Sequence, residues 1–258
     1  MKAKHIILSL FILATTCSCE KEDDPTKENP FNGRTTAQFN PKKDYGTVTD
    51  IDGNVYKTIK IGDQVWMAEN LRTTHYQDGE ALSQNDYTWY REGDTLDYTH
   101  IFTPHLVQHN ATEYTEEDLN TIATHGFSYS WYAATDKRNI APKGWRVPSS
   151  KDWERLITYL SDNNKDSIAS LKLRAKGDLY WEDGDSPFLN ISGFTAVPWI
   201  PYAGSSHFWA TDIHEWTSEN NEIYEFVTHV FIQPDGASFF YTDDYLHKIS
   251  IRCIKEKQ

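Results

Sequence analysis

Segments with strand-like alternation at both ends of the chain enclose the segment that has the strongest helical pattern. Residues 47–51 and 55–61 alternate around a turn, and residues 222–232 and 237–242 do the same near the other end. A period of two residues places every second side chain on one face of a strand. Residues 151–161 instead repeat apolar side chains with the period of a helix. Strands at both ends with helices between them indicate an α+β fold, because alternating βαβ units would produce a parallel sheet.

The helix predicted over residues 151–161 has a clear beginning and a clear apolar face. Either Ser149 or Ser150 precedes it and supplies the N-cap. Its apolar residues follow the i, i+3, i+4, i+7 spacing: Trp153, Leu156, Ile157 and Leu160. A second helix is predicted over residues 167–176 and a final strand over residues 247–254. We therefore expect short antiparallel strands and hairpins around two helices, in a chain rich in loops.

The first residues have the composition of an export signal. Two lysines precede an apolar stretch over residues 6–14, and small and polar residues follow up to Cys19. A stretch of this length is too short to span a bilayer, which needs about 20 apolar residues. We predict that residues 1–18 are a signal peptide. The segment resembles a bacterial lipoprotein signal, in which the cysteine after the cleavage site receives the lipid; we assign Cys19, with Cys17 as the alternative.

Residues 19–44 are polar, contain three prolines and have almost no apolar side chains. This composition predicts a disordered, lipid-anchored tether in front of a domain over residues 45–258. The run Glu-Lys-Glu-Asp-Asp at residues 20–24 resembles the signal that sends Bacteroidetes lipoproteins to the outer face of the outer membrane. The alternative is an ordinary solvated charge run. We predict a protein held in outer-membrane lipid through acylated Cys19 and exposed at the cell surface.

Composition, charge and cysteine count limit the kinds of partner and of stabilising bond that we expect. The chain is 38% hydrophobic and 14% aromatic, enough for a core, and its net charge of −13 argues against a nucleic-acid partner. Once Cys17 is removed and Cys19 is acylated, Cys253 is the remaining thiol, so no disulfide forms within the mature chain. Cys253 follows Ile249 and Ile251 in a strand-like alternation, and we interpret it as a buried apolar residue.

Residues 83–126 are polar and weakly periodic, and we predict that they are an insertion with a short helix from Thr115. Within it His105, His109 and Glu113 recur every four residues, a spacing that on a helix would place three metal-binding groups on one face. The surrounding stretch has little helical propensity, so we interpret these side chains as loop residues. We predict neither a metal nor another cofactor.

Six blocks of the sequence occur in the order found in one known domain. They are VTDIDGNVYKTIKIGDQVWMAENL (48–71), YSWYA (129–133), APKGWRVP (141–148), SGFTAVP (192–198), FWATD (208–212) and IRCI (251–254). Together they resemble the Fibrobacter succinogenes major paralogous domain, FISUMP, over roughly residues 45–258. The chain departs from that pattern in the 83–126 insertion and after Pro198, where Trp-Ile-Pro-Tyr replaces Gly-Gly-Tyr-Arg.

The resemblance implies a C-type-lectin-like fold, distantly similar to the formylglycine-generating (sulfatase-modifying) enzymes. Residues 146–154 are similar to the Arg-Leu-Pro-Thr-x-x-Glu-Trp-Glu element of those enzymes, and residues 212–216 more loosely to their Gly-Asn-Val-Trp-Glu-Trp. We interpret these residues as structural: Arg146 is expected to pair with a carboxylate such as Asp152, and Trp153 to enter the core.

The residues and the resemblance together favour a binding domain without catalytic turnover. The nine tryptophans and fifteen tyrosines offer flat ring faces and hydroxyl groups to a sugar. Those at positions 66, 131, 145 and 153 lie in the resembling blocks and are expected in the core. The candidate ligand-binding residues are Trp89, Tyr90, Trp199, Tyr202 and Trp209. The predicted ligand is a neutral glycan or a surface protein, because acidic groups flank these rings.

Two further hypotheses concern the function. The first is a structural or adhesive surface component, or a fimbrial one, without a small ligand. The second is a metal-dependent oxidase like the formylglycine-generating enzymes. Those enzymes hold copper with paired active-site cysteines, and one mature thiol does not supply such a pair.

Overall fold

Four helices and twelve strands form the part of the chain that the computed structural model describes, residues 29–84, 101–103, 114–161, 166–176, 181, 189–198, 204–245 and 247–257. The helices are α1 (Glu116–His125), α2 (Trp131–Thr135), α3 (Ser150–Leu160) and α4 (Asp166–Leu173). The strands are β1 (Gly46–Thr49), β2 (Val55–Ile61), β3 (Gln64–Met67), β4 (Ser83–Gln84), β5 (Ile101–Thr103), β6 (Ser128–Tyr129), β7 (Trp145–Arg146), β8 (Ser206–Thr217), β9 (Ile223–Gln233), β10 (Gly236–Thr242), β11 (Ile249–Ser250) and β12 (Ile254–Lys255). This mixture confirms the predicted α+β class. Within these ranges no helix is long and apolar enough to cross a membrane.

The strands form two sheets. The five-stranded sheet has the order β1-β2-β3-β12-β7, and the seven-stranded sheet has the order β10-β9-β8-β11-β6-β5-β4. Neighbouring strands are antiparallel except for the pairs β11–β8 and β4–β5. Both predicted hairpins are confirmed: β1 turns into β2, and β9 turns into β10 with Gln233 opposite Gly236.

The turn between β1 and β2 is closed by one carboxylate. Oδ1 of Asp50 accepts hydrogen bonds from the backbone N–H groups of Asp52 at 3.0 Å and Asn54 at 2.9 Å. Gly53 takes the left-handed conformation, with φ of +76°, that a side chain would strain. The carboxylate therefore replaces the backbone partners that a tight turn leaves unsatisfied.

Helix α3 begins where the sequence predicts. Ser149 is the N-cap, and a capping box joins it to Asp152, whose carboxylate accepts from the Ser149 N–H at 2.7 Å. The four predicted apolar residues are all buried. The ring of Trp153 lies 4.7 Å from that of Trp66 and 5.4 Å from that of Phe208, centroid to centroid. The helix thus anchors both sheets to one aromatic core.

The predicted final strand, residues 247–254, is divided between the two sheets. β11 pairs with β6 and β8, whereas β12 pairs with β3 and β7. Between them the side chain of Arg252 is buried, and its guanidinium donates to Oδ1 of Asn70 and to the carbonyl oxygen of Phe194, both at 2.5 Å. Local alternation does not reveal such a crossing, because each half of the segment keeps a strand-like pattern.

Helix α4 is shorter than the 167–176 predicted for it. It ends at Leu173, and the next residue, Arg174, forms an isolated parallel bridge with Ala196. The backbone N–H of Ala175 then donates to the carbonyl oxygen of Ala196 at 2.7 Å. Pairing with a distant segment therefore ends the helix before its local sequence requires it to end.

Residues 29–44 contain no helix or strand, yet they lie against the domain. Phe31 packs on one cluster of buried core residues and Phe39 on another. Nδ2 of Asn29 donates to the backbone carbonyl of Asp52 at 3.1 Å. The predicted disordered tether over 19–44 is therefore wrong for residues 29–44, because a few apolar anchors hold this polar segment in place.

The described parts of the predicted 83–126 insertion are β4, β5 and α1 with the residues that flank it. The short helix is confirmed. Thr115 is its N-cap and forms a capping box with Asp118, as its sequence predicts.

Candidate functional site

Exposed apolar side chains concentrate on the three strands at one edge of the seven-stranded sheet. Among the described residues, six of the ten exposed large hydrophobic side chains lie on β8, β9 and β10. They are Ile213, Trp216, Ile223, Tyr224, Phe240 and Tyr241. Apolar side chains gathered in this way at a protein surface mark a region that contacts other molecules.

One face of these strands presents four exposed rings, His214, Trp216, Tyr224 and Tyr241, which we call the aromatic face. Trp216 lies directly opposite Tyr224, with ring centroids 5.6 Å apart. His214 stacks on Tyr241 at a centroid distance of 4.2 Å and an interplanar angle of 26°. The exposed fractions are 52% for Trp216, 43% for Tyr224 and 45% for Tyr241. Directly opposite residues share a face of a sheet, so the rings project from the same side.

The aromatic face lies largely on a ribbon that extends past the rest of the sheet. β8 and β9 pair as far as Thr217 and Ile223, whereas β10 pairs with β9 only as far as Val227. A bulge between Trp209 and Ile213 separates the buried part of β8 from its exposed part. Two strands without further neighbours are only marginally stable in water. Core packing therefore does not account for the large apolar side chains on this ribbon.

The opposite face of the ribbon is aliphatic and acidic. Ile213 and Ile223 are 43% and 65% exposed. Glu215 lies directly opposite Glu225 across the two strands. Like charges in this position destabilise a ladder, so the ribbon is not arranged for stability alone.

Acidic groups flank the aromatic face. The phenol of Tyr224 donates a hydrogen bond to Oε2 of Glu222 at 2.8 Å, and this bond raises the pKa of Tyr224. Asp243 and Asp244 are exposed just after the end of β10. These charges disfavour an anionic ligand on this face and leave neutral hydroxylated ligands acceptable.

Trp209, one of the predicted ligand-binding residues, lies in the core. Its side chain is fully buried, and its Nε1 donates to the carbonyl oxygen of Tyr129 at 2.7 Å. Its ring stacks on His229 at a centroid distance of 5.7 Å. The expectation that Trp209 lies at an exposed rim is therefore corrected. Trp209 lies before the bulge of β8, in the part of the strand that packs against the core.

The other four predicted ligand-binding residues lie outside the described part of the chain: Trp89, Tyr90, Trp199 and Tyr202. The residues that flank 199–203 lie near the start of β8, because Oγ of Ser206 donates to the carbonyl oxygen of Val197 at 2.5 Å. Trp216 lies at the far end of the same strand, roughly 30 Å away at about 3.3 Å per residue. The flanks of this predicted segment and the aromatic face are thus at opposite ends of β8.

The tryptophans expected in the core are largely there. Trp66 and Trp153 are fully buried, Trp145 is 5% exposed and Trp131 is half-buried. The three buried rings pack inside the domain, where a ligand at its surface does not reach them.

The element that resembles the formylglycine-generating enzymes holds the start of α3. Arg146 forms two hydrogen bonds with Asp152, at 2.7 Å and 2.9 Å. Burial alone would raise the pKa of Asp152, but hydrogen bonds from Arg146 and Ser149 outweigh burial and lower it. The carboxylate of Asp212 accepts from both the backbone N–H and the hydroxyl of Ser150. These contacts fit the structural role predicted for the element.

Metal-binding and thiol chemistry find little support in the described residues. There, no group of three or more His, Cys, Asp or Glu side chains is placed to hold a metal ion. His105, His109 and Glu113 lie outside these ranges, as do Cys17 and Cys19. Cys253 is buried, as predicted, and burial raises the pKa of its thiol, so the thiol stays protonated at neutral pH.

Sequence patterns did not identify the aromatic face. Trp216 falls within the segment 212–216 that we interpreted as structural. The signal present was a large side chain at nearly every position of the paired segments 213–217 and 223–227. A ribbon with two exposed faces has this pattern, but so does a strand buried on both sides.

Comparison with known proteins gives one match. The Fibrobacter succinogenes major domain family matches residues 59–255, a range that runs from within β2 into β12 and includes the whole aromatic face. No curated protein and no solved structure gives a significant match to the chain. The match spans more than half of the sequence and agrees with the blocks read from it. The chain therefore belongs to the Fibrobacter succinogenes major domain family.

Proposed function

We propose that this protein is a cell-surface lipoprotein whose folded domain binds a neutral glycan through the aromatic face, without catalytic turnover. The observation that supports this most is the exposure of Trp216 and Tyr224 on one side of a ribbon that has no further strand beside it among the described residues, with the exposed ring of Tyr241 next to it on β10. The lipid anchor at Cys19 and the outer-membrane location are part of the proposal and rest on the sequence.

The chemistry of the aromatic face suits a sugar ring. The carbon-bound hydrogens of a sugar pack on aromatic ring faces, and its hydroxyl groups need polar partners at the ring edges. Trp216 and Tyr224, with centroids 5.6 Å apart, provide adjacent rings for one sugar. Glu222 and the imidazole of His214 provide polar atoms beside them. An uncharged ligand avoids repulsion from the surrounding carboxylates.

Binding at one such site is expected to be weak. Each stacked ring contributes on the order of 1 kcal/mol, so a few rings give a Kd near the millimolar range. Many lipid-anchored copies on one membrane would raise the apparent affinity for a polysaccharide through avidity. The proposed anchor at Cys19 and the weak site therefore act together.

The described residues give no reason to propose catalytic turnover. An oxidase similar to the formylglycine-generating enzymes needs a cysteine pair, and the described residues contain the single buried Cys253. A binding role uses the exposed rings without a nucleophile or a metal.

The test is a glycan array with the soluble chain from residue 20 onward, which keeps every described residue. We expect binding to neutral glycans, with Trp216→Ala weakening the affinity about fivefold or more, as loss of roughly 1 kcal/mol implies. Trp89→Ala and Trp199→Ala test in the same assay whether the residues outside the described ranges contribute. Titration of any hit by calorimetry measures each Kd.

Two control variants separate the aromatic face from general effects. Trp216→Phe keeps a ring and should retain most of the affinity. Tyr159→Ala removes a ring that is 63% exposed on α3, outside the aromatic face, and should leave binding unchanged. If no neutral glycan binds, or if Trp216→Ala binds as well as the unmodified chain, the proposal is wrong.

A protein-adhesion role is the second candidate, because the opposite face of the ribbon is aliphatic. Ile213 and Ile223 expose apolar surface that offers a sugar no stacking partner but suits a protein. If Ile223→Ser abolishes attachment of cells to a surface and Trp216→Ala does not, adhesion is the better description.

A further inference from the structure

A cleft of about 370 Å³ opens between the turn after β1 and the loop before β7, and none of its lining residues belongs to the aromatic face. Its lining residues come from three segments of the chain, residues 49–51, residues 75–77 and residues 140–143. Small-molecule sites in proteins occupy about 300–1,000 Å³, so the cleft is large enough for one small ligand.

An Asp–His pair is held rigidly at this cleft. Nδ1 of His75 lies 2.6 Å from Oδ1 of Asp52. The other oxygen of Asp52 accepts from the hydroxyls of Thr73 and Thr74, each at 3.0 Å. In the neutral form of His75, Nδ1–H donates to Asp52, because a carboxylate has no proton to donate. Nε2 is left as an acceptor, and no hydrogen bond from the described residues occupies it.

The other charged groups at the cleft differ in their availability. The carboxylate of Asp50 is already satisfied, by the hydroxyl of Tyr56 at 2.6 Å and by Nδ2 of Asn54 at 2.9 Å. Lys143 is exposed and forms no ion pair with the described residues. The cleft thus offers one ammonium group and one imidazole acceptor, and the carboxylates of Asp50 and Asp52 beside them are held by hydrogen bonds within the domain.

The rest of the lining is largely apolar. Ile51, Ile140, Ala141 and Pro142 form a wall against which the carbon face of a ring can pack. A ligand that uses all three features carries a carboxylate for Lys143, a hydroxyl that donates to Nε2 of His75, and an apolar face.

We infer that this cleft binds a small hydroxylated carboxylate, such as a uronic acid residue of an acidic polysaccharide. This ligand class is opposite in charge preference to that of the aromatic face, so the inference does not depend on the proposed function. The two sites would let one domain contact neutral and acidic sugars of a mixed polysaccharide at separate places.

The test is calorimetric titration of the soluble chain from residue 20 onward with glucuronate and galacturonate. Glucose and galactose lack the carboxylate, and acetate lacks the hydroxyls, so these three are the comparison ligands. We expect the uronates to bind roughly tenfold more tightly than all three, a difference of about 1.4 kcal/mol. Uronates that bind no better than acetate would overturn the inference.

Variants locate the binding to the cleft. Lys143→Gln, at an exposed position, and His75→Phe should each weaken uronate binding about fivefold or more. Lys137→Gln changes an exposed lysine that does not line the cleft and should have no effect. Trp216→Ala should leave uronate binding intact, which separates this site from the aromatic face. Equal affinities for the Lys143→Gln and Lys137→Gln variants would refute the site.

Discussion

His229 is a buried imidazole in unusual surroundings. It is 4% exposed, and neither ring nitrogen has a hydrogen-bond partner among the described residues. The rings of His207 and His247 both lie at centroid distances of 6.2 Å, and that of Phe240 at 5.2 Å. Burial, with a smaller contribution from His247, lowers the pKa of His229 to about 4. The folded state therefore keeps this ring neutral.

We predict that His229 makes the domain less stable in mild acid. Between pH 6.5 and about 4, the unfolded chain binds a proton at this position and the folded chain does not. The free energy of unfolding therefore falls as the pH falls through this window, by up to about 3 kcal/mol from this one group. Denaturant unfolding at several pH values measures this effect. The free energy of unfolding of His229→Phe should depend less steeply on pH than that of the unmodified chain.

The same variant tests whether the ring nitrogens have a partner. At pH 7.5 we expect His229→Phe to change the free energy of unfolding by less than about 1 kcal/mol, because no hydrogen bond is lost. His214→Phe, which replaces an exposed histidine, should keep the original pH dependence. Identical pH profiles for His229→Phe and the unmodified chain would show that His229 is not responsible.

At the residue scale, the sequence predicts which side chains are buried in the core better than it predicts which ones face the solvent. Trp66 and Trp153 were expected in the core and are fully buried. Trp209 and Trp216 lie seven positions apart on β8, and the first is buried while the second is 52% exposed. The bulge between Trp209 and Ile213 separates the packed part of β8 from its exposed part, and a bulge has no clear sequence signal here.

Two helices of this domain begin with the same capping arrangement in different surroundings. In α3, Asp152 closes the capping box and also binds Arg146 at 2.7 Å and 2.9 Å. In α1, Asp118 closes an equivalent box with Thr115, but among the described residues it has no guanidinium partner. Comparison of the two helices therefore isolates what Arg146 adds to the stability of a capped helix.

We predict that Asp152→Asn destabilises the domain more than Asp118→Asn. Loss of a capping carboxylate costs about 1 kcal/mol in either helix. Asp152→Asn also leaves the half-exposed Arg146 without its bidentate partner, which adds up to about 1 kcal/mol after allowance for solvent screening. Because the pKa of Asp152 is lowered in the folded state, this extra stability is present above pH 4 and is lost as the pH falls further.

Denaturant unfolding of both variants at pH 7 and pH 3 measures the difference. The gap between the two variants should be present at pH 7 and should narrow at pH 3. Equal costs at pH 7 would mean that the Arg146 pair contributes nothing beyond the cap.

At the element scale, local patterns predict elements whose determinants are local. Helix α3 and the β9–β10 hairpin have their caps and turn residues within a few positions, and both are confirmed. The end of α4 depends on pairing with Ala196, about twenty residues further along the chain. The division of the last strand depends on the buried Arg252, whose partner Phe194 is also distant in sequence. Such long-range pairing has no signal in a short window.

At the scale of the whole molecule, the position of residue 29 limits how far the domain can lie from its proposed anchor. The packed region includes Asn29, which bonds to the β1–β2 turn. Only residues 20–28 then separate it from Cys19, and a fully extended chain of that length reaches at most roughly 35 Å. The proposed binding surfaces are therefore held close to the membrane, and a ligand must extend toward the membrane to reach them.

We predict that Cys19, and not Cys17, is the anchoring residue, and that the anchor faces outward. Cys19→Ala should move the protein from the membrane fraction to the soluble fraction, because a thioether-linked lipid supplies the membrane affinity. Cys17→Ala is the matched control, since it changes the neighbouring cysteine within the predicted signal and should leave the protein in the membrane. Protease added to intact cells should remove the domain. Release by Cys17→Ala alone would identify Cys17 as the lipidated residue. Digestion that occurs only after the outer membrane is opened would place the domain in the periplasm, where large external polysaccharides would not reach the aromatic face.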